Sequence, residues 1–192
     1  MTRVISGSAR GRSLRVPPVG TRPTSDRARE GLFSSLEARF GFHGAVVLDL
    51  FAGSGALGLE AASRGAAEVH LVEDDAAAVA VIEHNVAVVG HPRVRVHRMT
   101  AEAFVASAPQ GRFDMVLADP PYGVDDAAVA ELLASLAPTL ADGAAVVVER
   151  HVDSPETAWP QGYEPTGQKL KKRTYGSARL DMAVFDREVF LD

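Results

Sequence analysis

The stretch VVLDLFAGSGALGLE, residues 46–60, decides how the rest of the chain is read. It opens on an apolar run short enough for a buried strand. It then breaks into a loop with Gly53, Gly55 and Gly58 in G-x-G-x-x-G register and passes straight into a helical pattern. Glycine in such a loop allows a tight turn and a close approach of the backbone to a ligand, at the sheet edge where strand order reverses.

Outward from this stretch, strands alternate with helices. The segments AVVLDLF, EVHLVE, VRVHRM, FDMVLA and AAVVVER read as strands, and ALGLEAASR, AAAVAVIEHNVAVV, AEAFVASA and AAVAELLASL as the helices between them. Five apolar strands joined in this way call for right-handed crossovers and a mainly parallel sheet covered on both faces. Upstream, TRVIS and SLRV around a glycine-containing connection read as a β-hairpin, followed by a helix over DRAREGLFSSLEARF capped by Thr24 or Ser25. Downstream, WPQGYEP reads as a break, and QKLKKRTY and RLDMAVF as two strands pairing in an antiparallel hairpin on the sheet edge. Residues 1–23 are thus expected to form a hairpin arm and residues 24–192 a single α/β domain.

Composition narrows the functional classes. With no cysteine, the chain has no disulfide, no thiolate metal site and no cysteine nucleophile. The six histidines are scattered without metal-ligand spacing, so no metal site is expected. The N-terminus lacks an apolar leader and no later stretch approaches the length of a membrane span, so a cytoplasmic location and no membrane partner are expected. The net charge of -5 conceals segregation. Residues 1–30 carry seven arginines against Asp26 and Glu30, and residues 168–179 carry Lys169, Lys171, Lys172, Arg173 and Arg179 with no acid. Basic segments on an acidic body suit a polyanion held at one face, as phosphate contacts supply most non-specific affinity for nucleic acid. Arg10, Arg12, Arg15, Arg22, Lys171, Lys172 and Arg173 are the candidates for that contact.

Two acids sharpen the glycine loop. Glu73 ends the second strand twenty residues after Gly53, where a carboxylate can accept hydrogen bonds from both hydroxyls of a ribose. Asp49 stands four residues before Gly53, where a carboxylate suits a ligand carrying an ammonium group, such as the methionine part of S-adenosylmethionine, better than a pyrophosphate.

The fourth strand ends in Asp119-Pro120-Pro121-Tyr122. Prolines cannot continue a buried strand, but they hold backbone acceptors with little conformational freedom. An exocyclic base amine is a poor nucleophile because its lone pair is delocalised into the ring. Asp119 and the Pro120 carbonyl can each accept one of its N–H bonds and favour a pyramidal nitrogen aimed at a sulfonium methyl group. Tyr122 offers a face on which a base swung out of its stack can lie.

The motifs DLFAGSG, Glu73 and DPPY resemble those of class I S-adenosylmethionine-dependent amino-methyltransferases. RPTSDRARE (residues 22–30), the ISGSARGRSL hairpin before it and LFSSL after it are similar to the RsmD family, which methylates the N2 amine of a guanine in bacterial small-subunit ribosomal RNA. The resemblance implies a Rossmann-like fold with a seven-stranded, mainly parallel sheet, an antiparallel C-terminal edge hairpin and a small N-terminal β-hairpin extension. It implies that Asp49, Phe51, Ala52, Gly53, Ser54, Gly55 and Glu73 hold S-adenosylmethionine, and that Asp119, Pro120, Pro121 and Tyr122 hold the target base. It further implies that the basic hairpin meets the small subunit or its ribosomal RNA. Thr100 stands where many class I enzymes carry an acid, and adenine contact is assigned to Thr100 or the Ala101 backbone. Thr24 and Arg27 are expected to close over the cofactor or a target phosphate. The alternative substrate is a DNA adenine-N6 or cytosine-N4 amine, and a monomer is expected.

Overall fold

The computed structural model describes residues 1–18 and 25–192. Thr24 and Arg22, both singled out above, lie outside the described residues. The chain opens with a small antiparallel pair, β1 (Thr2–Arg3) and β2 (Ser13–Leu14), followed by α1 (Asp26–Arg39). The Ser25 hydroxyl caps α1 by accepting from the amide nitrogen of Ala28 at 3.2 Å.

The body follows as β3 (Val46–Leu50), α2 (Ala56–Ser63), β4 (Glu68–Glu73), α3 (Ala76–Val89), β5 (Val94–Arg98), α4 (Ala101–Ser107), β6 (Phe113–Ala118), α5 (Asp126–Leu136) and β7 (Leu140–His151). The C-terminal part adds β8 (Tyr163–Pro165), α6 (Leu170–Arg173), β9 (Thr174–Tyr175), β10 (Ala178–Phe185) and α7 (Arg187–Leu191). The main sheet runs β5-β4-β3-β6-β7-β10-β8, with β9 paired to β10. Strands β3 to β7 are parallel, and β10 is antiparallel to both β7 and β8. The order reverses between β4 and β6 on either side of β3, so the crevice lies beyond the carboxyl ends of β3 and β6.

Side chains from the two faces of the sheet form two buried clusters, one under α1, α2 and α3, the other under α4 and α5. The hairpin arm belongs to the first. Val4, Ala9 and Leu14 are buried in it, and the buried Glu60 carboxylate accepts from the Ile5 and Ser6 amides at 2.8 and 3.0 Å. Burying Val4 and Leu14 alone is worth about 1.5–3 kcal/mol each, enough to hold a short hairpin that could not stand alone. The charge that an acid brings into this core is offset by those two amides and by Arg64 Nε at 2.9 Å.

The C-terminal third departs from the sequence expectation. The segment QKLKKRTY contains the four-residue α6 and only a two-residue strand, because its alternation has no apolar face to bury: Leu170 is 56% exposed. The strand at the sheet edge instead comes from WPQGYEP. There Gly162, at φ 90°, turns the chain so that the Tyr163 ring is buried and its hydroxyl donates to the Leu133 carbonyl at 2.5 Å. Strand β10 does pair with β9 as a hairpin, but its long hydrophobic run is interior to the sheet, between β7 and β8.

Candidate active site

A cavity of about 1430 Å³ opens beyond the carboxyl ends of β3, β4, β6 and β7. One wall is the glycine loop. Gly53 and Gly55 take positive φ angles of 59° and 79°, a region glycine enters without a Cβ penalty, and Phe51 joins them at φ 60°. A non-glycine residue held there costs of the order of 1 kcal/mol or more and persists where surrounding contacts determine it. Gly58, inside α2, has an ordinary backbone but no room: a Cβ would lie 2.3 Å from Leu71 Cδ2 and 3.1 Å from Asp49 Cβ. Its absence lets α2 press onto β3 and β4 and brings the Gly58 amide to the carboxylate of Asp49, at 2.9 Å.

Asp49 is 1% exposed, and its hydrogen bond from Gly58 is the one it makes among the described residues. Burial pushes its carboxyl pKa up to about 7, with the Gly58 amide opposing and the charge of Glu73 adding a smaller upward push. A buried acid with no cation beside it among the described residues is suited to receive one. Glu73 spans the loop: Oε2 accepts from Gly53 at 2.9 Å and Oε1 from Asp75 at 3.1 Å. Each oxygen retains a lone pair, so Glu73 can brace the loop and still accept from a ribose. Phe51, Ala52, Gly53, Ser54 and Glu73 line the cavity, Gly55 is buried behind them, and Asp49 lies beneath.

The opposite wall is Asp119, Pro120, Pro121 and Tyr122, carried by the end of β6. Pro120 is buried, whereas Tyr122 is 76% exposed, its ring centroid 6.1 Å from that of His151. Burial raises the Asp119 carboxyl to about 8, and the charges of Glu149 and Asp49 add to it. Acids at the ends of β4, β6 and β7 therefore line one space, with Asp49 of β3 buried beneath it.

The remaining candidates divide. Arg27, Lys171 and Lys172 are exposed and line the cavity. Arg10 and Arg15 are exposed on the hairpin side. Arg12 spends Nη1 on the carbonyls of Val88 and Val89, at 2.8 and 2.9 Å, at the end of α3. Arg173 is committed to Asp181 and, at 2.6 Å, to Glu156. Thr100 and Ala101 do not line the cavity: Thr100 Oγ1 caps α4 by accepting from Ala103 at 3.1 Å, and Ala101 is buried in the second cluster.

Several residues at the site escaped the sequence reading. Asn85, fully buried, bonds the Arg15 backbone through both amide atoms, at 2.8 and 2.9 Å, and donates to the Ser54 carbonyl at 2.8 Å, tying the hairpin exit to the glycine loop. Its only sequence signal is a polar residue on the apolar face of α3. Arg29, also buried, donates Nη2 to Thr2, Arg3 and Asp26, while Nε and Nη1 have no hydrogen-bond partner among the described residues. Glu149 and His151, at the end of β7, and Tyr175 in β9 also line the cavity.

A sheet in this order, with an acid-flanked glycine loop facing an Asp-Pro-Pro-Tyr turn, defines a class I S-adenosylmethionine-dependent methyltransferase. The chain matches the family model described as Conserved hypothetical protein 95 over residues 2–184, and it belongs to that family, the RsmD family. It is 44% identical over 121 residues to Ribosomal RNA small subunit methyltransferase D of Escherichia coli K12, a match covering 62% of this chain and 60% of that protein. To the Haemophilus influenzae protein of the same name it is 35% identical over 157 residues, 80% of each chain. The solved structure of a hypothetical protein of Thermus thermophilus superposes with a TM-score of 0.77 at 35% identity, covering 97% of this chain and 99% of that one.

Proposed function

We propose that the protein transfers a methyl group from S-adenosylmethionine to the exocyclic N2 amine of a guanine in bacterial small-subunit ribosomal RNA. The observation that carries this reading is the facing of Asp119 to Tyr122, on β6, across one cavity from the glycine loop with Asp49 and Glu73. The names of the relatives direct it to the small ribosomal subunit.

When bound, S-adenosylmethionine supplies a methyl group on a sulfonium sulfur and leaves as S-adenosylhomocysteine. The residues of this chain do the rest. Asp49, ionised, receives the ammonium group of the cofactor, and Glu73 accepts from its ribose while bracing the loop. Asp119 and the Pro120 carbonyl accept the two N–H bonds of the amine and direct its lone pair. The amine held by Asp119 and Pro120 would take the methyl group in a new N–C bond and become cationic, and the C–S bonding pair would stay with the departing sulfur. The amine's surplus proton passes to Asp119 or to water. The exposed Tyr122 ring gives the extruded base a surface to stack on, and Lys171, Lys172 and Arg27 meet phosphates at the rim. Asp74, Asp75 and Ala78, at and after the end of β4, line the cavity beside Glu73 and are available to the adenine.

The reading is tested by incubating the protein with labelled S-adenosylmethionine and small subunits from cells lacking the enzyme, then digesting the RNA to nucleosides. Label in N2-methylguanosine, lost with Asp119→Ala, is the expected outcome. Label in another nucleoside, or in none, would overturn it.

A further inference from the structure

The Asp-Pro-Pro-Tyr turn explains how an amine is held but not why the amine should be that of guanine. The neighbouring strand supplies a candidate. Ala118 of β6 and Val148 of β7 are partners in parallel register, so the next residues, Asp119 just past the end of β6 and Glu149 still within β7, lie at the same level. Both line the cavity, and the charge of Glu149 acts on Asp119. Glu149 is carried on a well-fixed frame. Val148 before it is fully buried, Arg150 after it is bound to Asp126 at 2.5 Å, and β10 pairs alongside through Leu180. A group mounted on a strand between fixed neighbours is held more narrowly than one on a loop.

The bases differ where a second acceptor would matter. Guanine presents two donors side by side, N1–H and the N2 amine. Adenine places an N1 lone pair beside its amine, and cytosine an N3 lone pair beside its own. Two adjacent carboxylates complement a pair of donors, whereas a lone pair turned toward a carboxylate is repelled and leaves both acceptors unpaired.

We propose that Glu149 accepts the N1–H of the target guanine while Asp119 and the Pro120 carbonyl accept from its N2 amine, making Glu149 the residue that selects guanine. The N1 proton stays on the base throughout, and no bond other than those of the methyl transfer changes. This rests on the guanine-N2 reading above.

The test uses small-subunit RNA carrying either guanine or 2-aminopurine at the position the wild-type protein methylates. 2-Aminopurine keeps the 2-amino group but has a lone pair at N1. The wild-type protein is expected to prefer guanine by at least about a hundredfold in kcat/KM, as a site built around a donor rejects analogues lacking it. Glu149→Gln, whose amide can donate to the N1 lone pair, is expected to narrow that preference by roughly tenfold or more, a change equal to about 1.4 kcal/mol. Glu149→Ala is expected to lower the rate on guanine and also to narrow the preference. S-adenosylhomocysteine should bind both variants within about twofold of wild type, since Glu149 is assigned to the base and not the cofactor. An unchanged preference for guanine in both variants would overturn the inference while leaving the guanine-N2 reading intact. So would loss of adenosylhomocysteine affinity in parallel with loss of transfer. Absence of transfer to guanine by the wild-type protein would instead overturn the reading and the inference together.

Discussion

The two walls of the cavity are built differently. The wall assigned to the cofactor in the proposed function comes almost wholly from residues 46–75, one continuous strand-loop-helix-strand passage, and its acids are engaged with backbone amides of that same passage. The wall assigned to the base is gathered from the end of β6, the end of β7 and the basic turn around α6, and it exposes a tyrosine ring and two lysines. A small, constant ligand can be met by a preorganised loop. A base that must be drawn out of a large RNA needs an accessible ring and cations free to find phosphates.

If the walls act separately, substitutions should part cofactor affinity from transfer. The largest effect is expected for Asp119→Ala, which removes an acceptor of the amine: single-turnover transfer should fall by roughly a hundredfold to ten-thousandfold. Adenosylhomocysteine affinity, measured by calorimetry, should stay within about threefold. An equal loss of affinity would break the division between the walls.

Asp49→Asn should do the reverse, weakening cofactor binding by about tenfold to a hundredfold, the range for losing a charged hydrogen bond. It should also raise the stability of the ligand-free protein at pH 8. The folded-state pKa of Asp49, about 7, lies above that of an unfolded carboxyl, so the folded state binds the extra proton. Stability is therefore lost as pH rises from the ordinary carboxylate range to about 7. The variant has no such loss, and its melting temperature should gain on wild type between pH 5 and pH 8.

A third effect sharpens the base side. In the proposed mechanism Asp119 accepts N–H bonds as a carboxylate, and in the free protein its pKa is raised to about 8. The kcat/KM for RNA should climb about tenfold per pH unit below that value and level off above it, because this parameter reports groups of the free enzyme. In Asp119→Asn the residual activity should lose this limb. The smallest effect is expected for the pair Lys171→Ala and Lys172→Ala. RNA affinity should fall several-fold with a salt dependence reduced by about two phosphate contacts, and cofactor affinity should not move.

The same contrast explains what could be read from the chain. Residues 46–60 and Glu73 declare themselves because their chemistry is local: strand, glycines and acids sit within one supersecondary unit whose geometry is fixed by short-range rules. DPPY was legible because two prolines at a strand end are costly unless they serve a purpose. Glu149 and Asn85 were not, since nothing near them in sequence signals that β7 lies beside β6 or that α3 meets the hairpin exit. Arg12 and Arg173 counted as free charge in the sequence, but one caps α3 and the other is consumed by Asp181 and Glu156. The C-terminal strand expected over QKLKKRTY is cut to Thr174–Tyr175, still paired antiparallel with β10, because alternation without a buried face does not sustain a longer strand. The short YEP edge was hidden by its flanking glycine and prolines.

The most direct test of the account is methyl transfer from labelled S-adenosylmethionine to unmethylated small subunits, to the corresponding naked RNA and to unmethylated DNA, each followed by nucleoside analysis. Label in N2-methylguanosine from the subunit or its RNA, abolished by Asp119→Ala, is the predicted result. Label in N6-methyladenine or N4-methylcytosine of DNA, with none in RNA, would contradict it.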